Sequence, residues 1–267
     1  MPQNFSPGWS ESLFQPGKVR KMKRIARYQH GFYYRQLTID QQYDYRRAAL
    51  AITRFEPEFY CVCPDRGQIH RMLLALRYDN PEMAYWDMEN TQILSGMIRP
   101  AWYYQDADQA EKVVEELRAR REGLIRELSG EGDLTRQELL EHIFHYLADN
   151  VIYAEDELLQ QNLHPWIYDI RGILLNEKGV CLGLAMTICY FCQALGIPSI
   201  IVTGKAQAAG WYGNHGWNLV KTGGVWRHLD VTTALGLPHA EQMKYFLVKD
   251  EELPGRSWPG KLYPGTD

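Results

Sequence analysis

The chain has 267 residues, 45% of them apolar, and its 33 acidic and 29 basic side chains leave a net charge of -4. That much apolar material buries a substantial core, as one large domain or one domain with an appended subdomain. The small negative charge gives no electrostatic reason to expect nucleic acid or an anionic membrane as a partner, and no stretch approaches the roughly 20 apolar residues of a membrane span.

The first 35 residues mix Pro, Gly, aromatic and basic side chains and are expected to be irregular. Their basic cluster, Lys18 to Arg24, reads as a solvated face, and Arg27 interrupts the apolar run that a signal peptide needs. Ile39 to Phe55 reads as a helix. Phe59 to Cys63 reads as a short strand stopped by Pro64. Gln68 to Tyr78 is a second helix, ended at Asp79-Asn80-Pro81 because the residue before a proline avoids the α conformation. Ala107 to Leu128 sets Val113, Val114, Leu117, Leu124, Ile125 and Leu128 largely on one stripe among Glu and Arg, the pattern of an amphipathic helix. Gly130-Glu-Gly132 breaks it. Thr135-Arg-Gln-Glu138 is then a capping box that opens a helix through Leu139, Ile143 and Leu147.

The pattern changes in the last third. Cys181 to Leu195 is a small-residue run that reads as a buried helix ending at Gly196, followed by a strand over Ile200 to Gly204. Lys205 to Asn214, rich in Ala and Gly, reads as a loop. Trp217 to Lys221 and Val225 to Asp230 read as two strands joined at Thr222-Gly-Gly224, a hairpin signal. Helices first and an antiparallel sheet afterwards predict an α+β fold. The expected organisation is a mostly helical N-terminal subdomain over 1–105, a core over 106–252 and a Pro/Gly-rich tail over 253–267.

The chemistry is concentrated in that last third. Gly179-Val-Cys181-Leu-Gly183 puts a cysteine where a helix begins. The partial positive charge of a helix N-terminus favours the thiolate, which is the nucleophilic form, and the backbone N–H groups there are natural donors to an oxyanion. His215 opens one strand of the hairpin and Asp230 closes the other, so the short turn makes them neighbours. A carboxylate on one imidazole nitrogen fixes the tautomer and steadies the imidazolium, leaving the other nitrogen for a thiol. Cys181, His215 and Asp230 are therefore the candidate catalytic residues. A buried structural cysteine, a satisfied histidine and a turn-capping aspartate explain each residue singly, and explain the three together poorly.

Cys181 within GVCLGLA, followed by ALGIPSIIVTG, HGWNLV and WRHLDVT, resembles the core of the bacterial transglutaminase-like superfamily in order and spacing. His215 follows Cys181 by 34 residues, and Asp230 follows His215 by 15. Tyr146 to Tyr153 resembles the lead-in of that family, and Leu76 to Glu82 and Tyr245 to Asp250 resemble pieces of related chains. The resemblance implies a papain-like α+β core, with the cysteine-bearing helix packed on an antiparallel sheet. It also implies a triad in which Cys181 attacks an amide or ester carbonyl, His215 moves the proton and Asp230 orients His215. Gly216 stands where the family usually has Ala, and Thr233-Ala234 where it commonly has Trp-Asp, so that wall of the site differs. Tyr153, from its place in the lead-in, is the candidate second oxyanion donor. Trp217 and Asn218 are expected to pack and hydrogen-bond around the histidine, and His228 reads as a surface histidine. Trp211 and Tyr212 are candidate substrate contacts at a lip of the cleft.

The expected function is a cysteine protease or amidase that acts on a peptide or protein substrate through an acyl-thioester. Hydrolysis is favoured over transamidation, because water is always present and no acidic amine-binding pocket is recognisable. A non-catalytic scaffold and an acyl-CoA N-acyltransferase on a related core are the alternatives. The intact triad argues against the first, and the lack of a basic phosphate-binding cluster against the second. Cys189-Tyr-Phe-Cys192 lies inside a helix and Cys61-Val-Cys63 has no second ligand pair near it, so neither predicts a metal site. With no phosphate loop or calcium loop, neither cofactor nor metal is expected. Five cysteines without a disulfide framework predict a reduced, cytoplasmic setting, or a secreted one where a leader has been removed.

Overall fold

The computed structural model describes residues 31–160, 164–208 and 211–266. The basic cluster at Lys18 to Arg24 lies outside the described residues. Helix α1 (Phe32–Arg35) is a single turn within the stretch expected to be irregular, and it is pinned by a carboxylate. Tyr33 and Tyr34 donate their backbone N–H groups to Asp79 at 3.2 and 2.8 Å. Helix α2 (Ile39–Thr53) opens at a capping box formed by Thr38 and Gln41, and α3 (Arg66–Asp79) opens at Asp65, which accepts from the Gln68 N–H. Between them β1 (Phe59–Tyr60) is shorter than expected: the N–H groups of Val62 and Cys63 turn to the Asp44 carboxylate instead of a strand partner. A hairpin that the sequence pattern did not reveal follows, β2 (Trp86–Leu94) and β3 (Met97–Trp102), giving a three-stranded sheet in the order β1-β3-β2. Tyr45, Ile52, Ile69, Met72, Leu76 and Phe59 fill the core of this unit.

Helix α4 (Ala107–Ser129) buries Val114, Leu117 and Leu124 from its apolar stripe, and α5 (Arg136–Asn150) begins at the Thr135–Glu138 capping box. Strand β4 (Ile152–Tyr153) precedes α6 (Glu155–Leu159) and α7 (Ile170–Asn176), and pairs in parallel with β5 (Lys178–Gly179). That two-residue ladder matters for the site, because it sets Tyr153 opposite Gly179, two residues before helix α8 (Cys181–Leu195). Most of α8 is buried, its apolar side chains packed with α5 and the sheet in one core that includes Phe144, Leu184, Ile188, Phe191, Ile201 and Leu229.

The sheet beneath α8 consists of β6 (Ser199–Ala208), β7 (Trp211–Thr222), β8 (Val225–Leu229), β9 (Phe246–Val248) and β10 (Arg256–Ser257). It is antiparallel throughout, in the order β10-β6-β7-β8-β9. Short helices α9 (Val231–Ala234) and α10 (His239–Gln242) lie between β8 and β9. The hairpin turn falls at Gly223 and Gly224, whose φ values of 58° and 86° are those a tight strand connection demands. The stretch expected as a loop, Lys205 to Asn214, belongs mostly to strands: the ladder runs on from Lys205↔Asn214 to Ala208↔Trp211. Small residues there obscure a pairing carried mainly by backbone groups, with one side-chain bond across it from Lys205 Nζ to Asn214 Oδ1 at 2.6 Å. His215 therefore lies inside β7, opposite Gly204, and not at a strand opening. Helices lead and an antiparallel sheet follows under the cysteine-bearing helix, the α+β arrangement expected from the sequence.

Candidate active site

Cys181 is the first residue of α8 and is half-buried. It borders a cavity of about 600 Å³ whose walls include Tyr78 from α3, Lys205 and Asn214 from the β6–β7 hairpin, His215, and Trp258 from the C-terminal segment. His215 donates from Nε2 to Asp230 Oδ2 at 2.9 Å, with side-chain exposures of 4% and 0%. Cys181 lines the same cavity and stands close enough to the imidazole to add to its proton affinity. Since Nε2 is committed to the carboxylate, Nδ1 is the nitrogen left for the thiol.

Burial pulls the proton affinity of His215 down, but Asp230 and then Cys181 outweigh it and hold the imidazole at about 9. Burial likewise disfavours an ionised Asp230, yet His215 and Arg256 bring its carboxyl down to about 2. Near neutral pH the pair is thus an imidazolium on a carboxylate. Four further cysteines have raised proton affinities. Burial, joined by Asp44 for the first two, pushes Cys61 to about 12 and Cys63 to about 11. Burial alone accounts for most of the rise of Cys189 to about 12, and lifts Cys192 higher still.

Two residues hold Asp230 in ways the sequence did not indicate: Arg256, which it did not single out, and Thr233, which it marked only as a departure from the family pattern. Arg256 donates to Asp230 Oδ2 from Nη2 at 2.7 Å and from Nε at 3.2 Å. Thr233 donates to Asp230 from its hydroxyl at 3.0 Å and from its backbone N–H at 3.3 Å. At the Thr233 position, where the family pattern is departed from, the hydroxyl caps the aspartate and accepts from Arg256. The Gly216 position is open, because a methyl there meets nothing nearer than Val202 O at 3.8 Å and Leu182 Cα at 3.9 Å.

Tyr153 stands beside the nucleophile: burial, and after it the neighbouring Cys181, raise the proton affinity of its hydroxyl. Trp217 stacks on His215, whereas Asn218 points to the helix, donating to Ala185 O at 2.9 Å, to Cys189 Sγ at 3.3 Å and to Ile200 O at 3.4 Å. His228 is not on the surface as expected. It is fully buried, because Trp217 and Asp250 satisfy both ring nitrogens at 2.9 Å. Tyr212 is 67% exposed, lies against Lys205 and is not among the residues lining the cavity; the Trp211 side chain lies outside the described residues.

A second cavity, about 420 Å³, opens on the far side of Leu182 and is lined by Arg77, Asp87, Glu89, Tyr103 and Tyr168. Among the described residues no group of three or more His, Cys, Asp or Glu side chains is arranged to hold a metal ion, and no helix is long and apolar enough to cross a membrane.

Residues 123–231 match the family model of the Transglutaminase-like superfamily. That match bears out the resemblance carried by the motifs, and it spans Tyr153, Cys181, His215 and Asp230. Two solved structures are similar over part of the chain. One is a crystal structure of a TGase, 15% identical, covering 54% of this chain and 43% of that one at a TM-score of 0.37. The other is an arylamine N-acetyltransferase from Bacillus cereus with a Cys-His-Glu catalytic triad, 20% identical, covering 42% of this chain and 48% of that one at a TM-score of 0.34. The chain spans less than half the length of either, and likenesses this slight bear no weight on function. No curated protein matches the sequence.

Proposed function

We propose that this transglutaminase-like core is the acyl-transfer site of a cysteine enzyme that cleaves peptide-type amide bonds in a peptide or protein substrate. One observation supports the reading above all: His215, bonded to the Asp230 carboxylate at 2.9 Å, lines the same cavity as the Cys181 thiol. Cys181, as thiolate, attacks the carbonyl carbon, and the carbonyl electrons move onto oxygen. The Cys181 N–H, at the start of α8, and the Tyr153 hydroxyl beside it are the donors we assign to that oxyanion. Collapse of the adduct expels the amine, which takes a proton from His215 Nδ1 and leaves an acyl-thioester. Water then attacks the thioester while His215 takes its proton, and a second collapse releases the acid and restores the thiolate. Asp230 holds the ring throughout.

Hydrolysis is favoured over transfer to an amine. Lys205 lines the same cavity as Cys181 and His215, and its positive charge disfavours an ammonium group there, whereas water needs no site of its own. The test is alkylation by iodoacetamide near pH 6, located by mass spectrometry. Cys181 is expected to react well ahead of Cys61, Cys63, Cys189 and Cys192; uniformly slow labelling sinks the proposal. Incorporation of a fluorescent amine into a glutamine-containing protein then separates transfer from hydrolysis.

A further inference from the structure

The family match ends at residue 231, yet much of what holds Asp230 comes afterwards. The C-terminal segment returns to the edge of the sheet, where β10 pairs Arg256 with Ala206 and Ser257 with Lys205. The Arg256 side chain is 2% exposed. Its Nη2 and Nε both donate to Asp230 Oδ2, the same oxygen that accepts from His215. Nη2 also donates to the Thr233 hydroxyl, and Nη1 donates to Pro254 O at 3.4 Å. Two cationic groups converge on one buried carboxylate oxygen.

Chemistry gives that arrangement a purpose. In acyl transfer the histidine alternates between imidazolium and imidazole. While it is neutral, a buried carboxylate with no other cation is an uncompensated charge, which is costly. While it is charged, a carboxylate with a single cationic partner grips the proton and resists its departure. A guanidinium, charged at every working pH, answers both difficulties.

We propose that Arg256 is a positioning residue: it compensates Asp230 while His215 is neutral and weakens the carboxylate's hold on the imidazolium, so that the proton can leave. The proposal rests on the reading of Cys181, His215 and Asp230 as a triad. The groups facing His215 are Asp230 and Cys181, with Lys205 and Tyr78 on the walls of the same cavity, Arg256 behind the carboxylate and His228 behind Trp217.

The experiment is an NMR titration of the His215 Cε1–H resonance in the full chain, assigned by its absence from His215→Gln. Arg256→Gln removes the charge and is expected to raise the midpoint by about one pH unit. Arg256→Lys keeps the charge and is expected to leave the midpoint near the wild-type value. An unchanged or lower midpoint in folded R256Q overturns the proposal, and so does a full-unit shift in R256K. Where R256Q does not fold, R256K decides alone. The readout needs no substrate and no thiol chemistry. An unreactive wild-type Cys181 defeats the triad reading, whereas a reactive Cys181 with equal midpoints in wild type and R256Q defeats only this inference.

Discussion

The indole of Trp217 lies flat against the imidazole of His215, ring centroids 5.6 Å apart and planes 20° from parallel. The same indole donates from Nε1 to His228 Nδ1, and His228 Nε2 meets Asp250. Because Nδ1 accepts, Nε2 carries the His228 proton, and burial further disfavours a charge on that ring despite Asp250. The plane of the candidate catalytic imidazole is thus set by a buried relay two residues away.

Trp217→Phe keeps an aromatic face against His215 but strips His228 of its donor. A buried acceptor left unpaired costs about 1–3 kcal/mol, so urea denaturation is expected to show a loss of that order. A Phe variant as stable as wild type shows that the indole N–H is dispensable.

Tyr153→Phe tests the second oxyanion donor. The hydroxyl is the only part removed, and the ring goes on packing beside Ala154, Ile167 and Val180. Loss of one such donor lowers turnover by about 10²–10³-fold, read on an activated p-nitrophenyl ester, with little change in melting temperature. Turnover within twofold of wild type reduces Tyr153 to a packing residue.

Much of this architecture is legible from local signals. Helix α8 has the expected bounds, Cys181–Leu195, because Gly196 stops it, and the β7–β8 hairpin turns at adjacent glycines. The capping box at Thr135 marks the start of α5 for the same kind of reason. What stays hidden is set by distance or by backbone. The β2–β3 hairpin escapes because its register shifts between Asp87 and Gln92, where the Asp87 carboxylate binds Asn90 and breaks the alternation. Arg256 sits in a Pro/Gly-rich stretch with no periodicity, and its partner lies 26 residues upstream, just past the end of β8. His228 looks like a surface residue because nothing local announces the indole and carboxylate that bury it.

Stability is expected to fall in alkali through His215. Its folded value, about 9, lies above the ordinary 6.5, so between those limits the folded chain holds a proton that the unfolded chain has lost. The stabilisation is therefore complete below about 6.5 and disappears as pH rises through about 9. Its size is on the order of 3 kcal/mol. Urea melts at several pH values are expected to show this decline in wild type and a flatter profile in His215→Gln; equal slopes remove His215 as the cause.

Two glycines facing one another's strands separate the C-terminal segment's contribution from general crowding. A methyl at Gly204 falls 2.3 Å from Ser257 O, 3.0 Å from Trp217 Cη2 and 3.1 Å from Trp258 Cβ, so β10 has to leave β6. Arg256 is carried away with it. Gly204→Ala is expected to cost about 1–3 kcal/mol and to depress turnover of the same ester. Gly216→Ala, on the facing strand, meets only ordinary contacts at 3.8 and 3.9 Å and is expected to keep both stability and turnover. Were both variants to lose activity alike, the cleft as a whole would be intolerant of added volume. Were Gly204→Ala to keep full turnover while its stability falls, β10 would be a strut for the sheet and not a support for the aspartate.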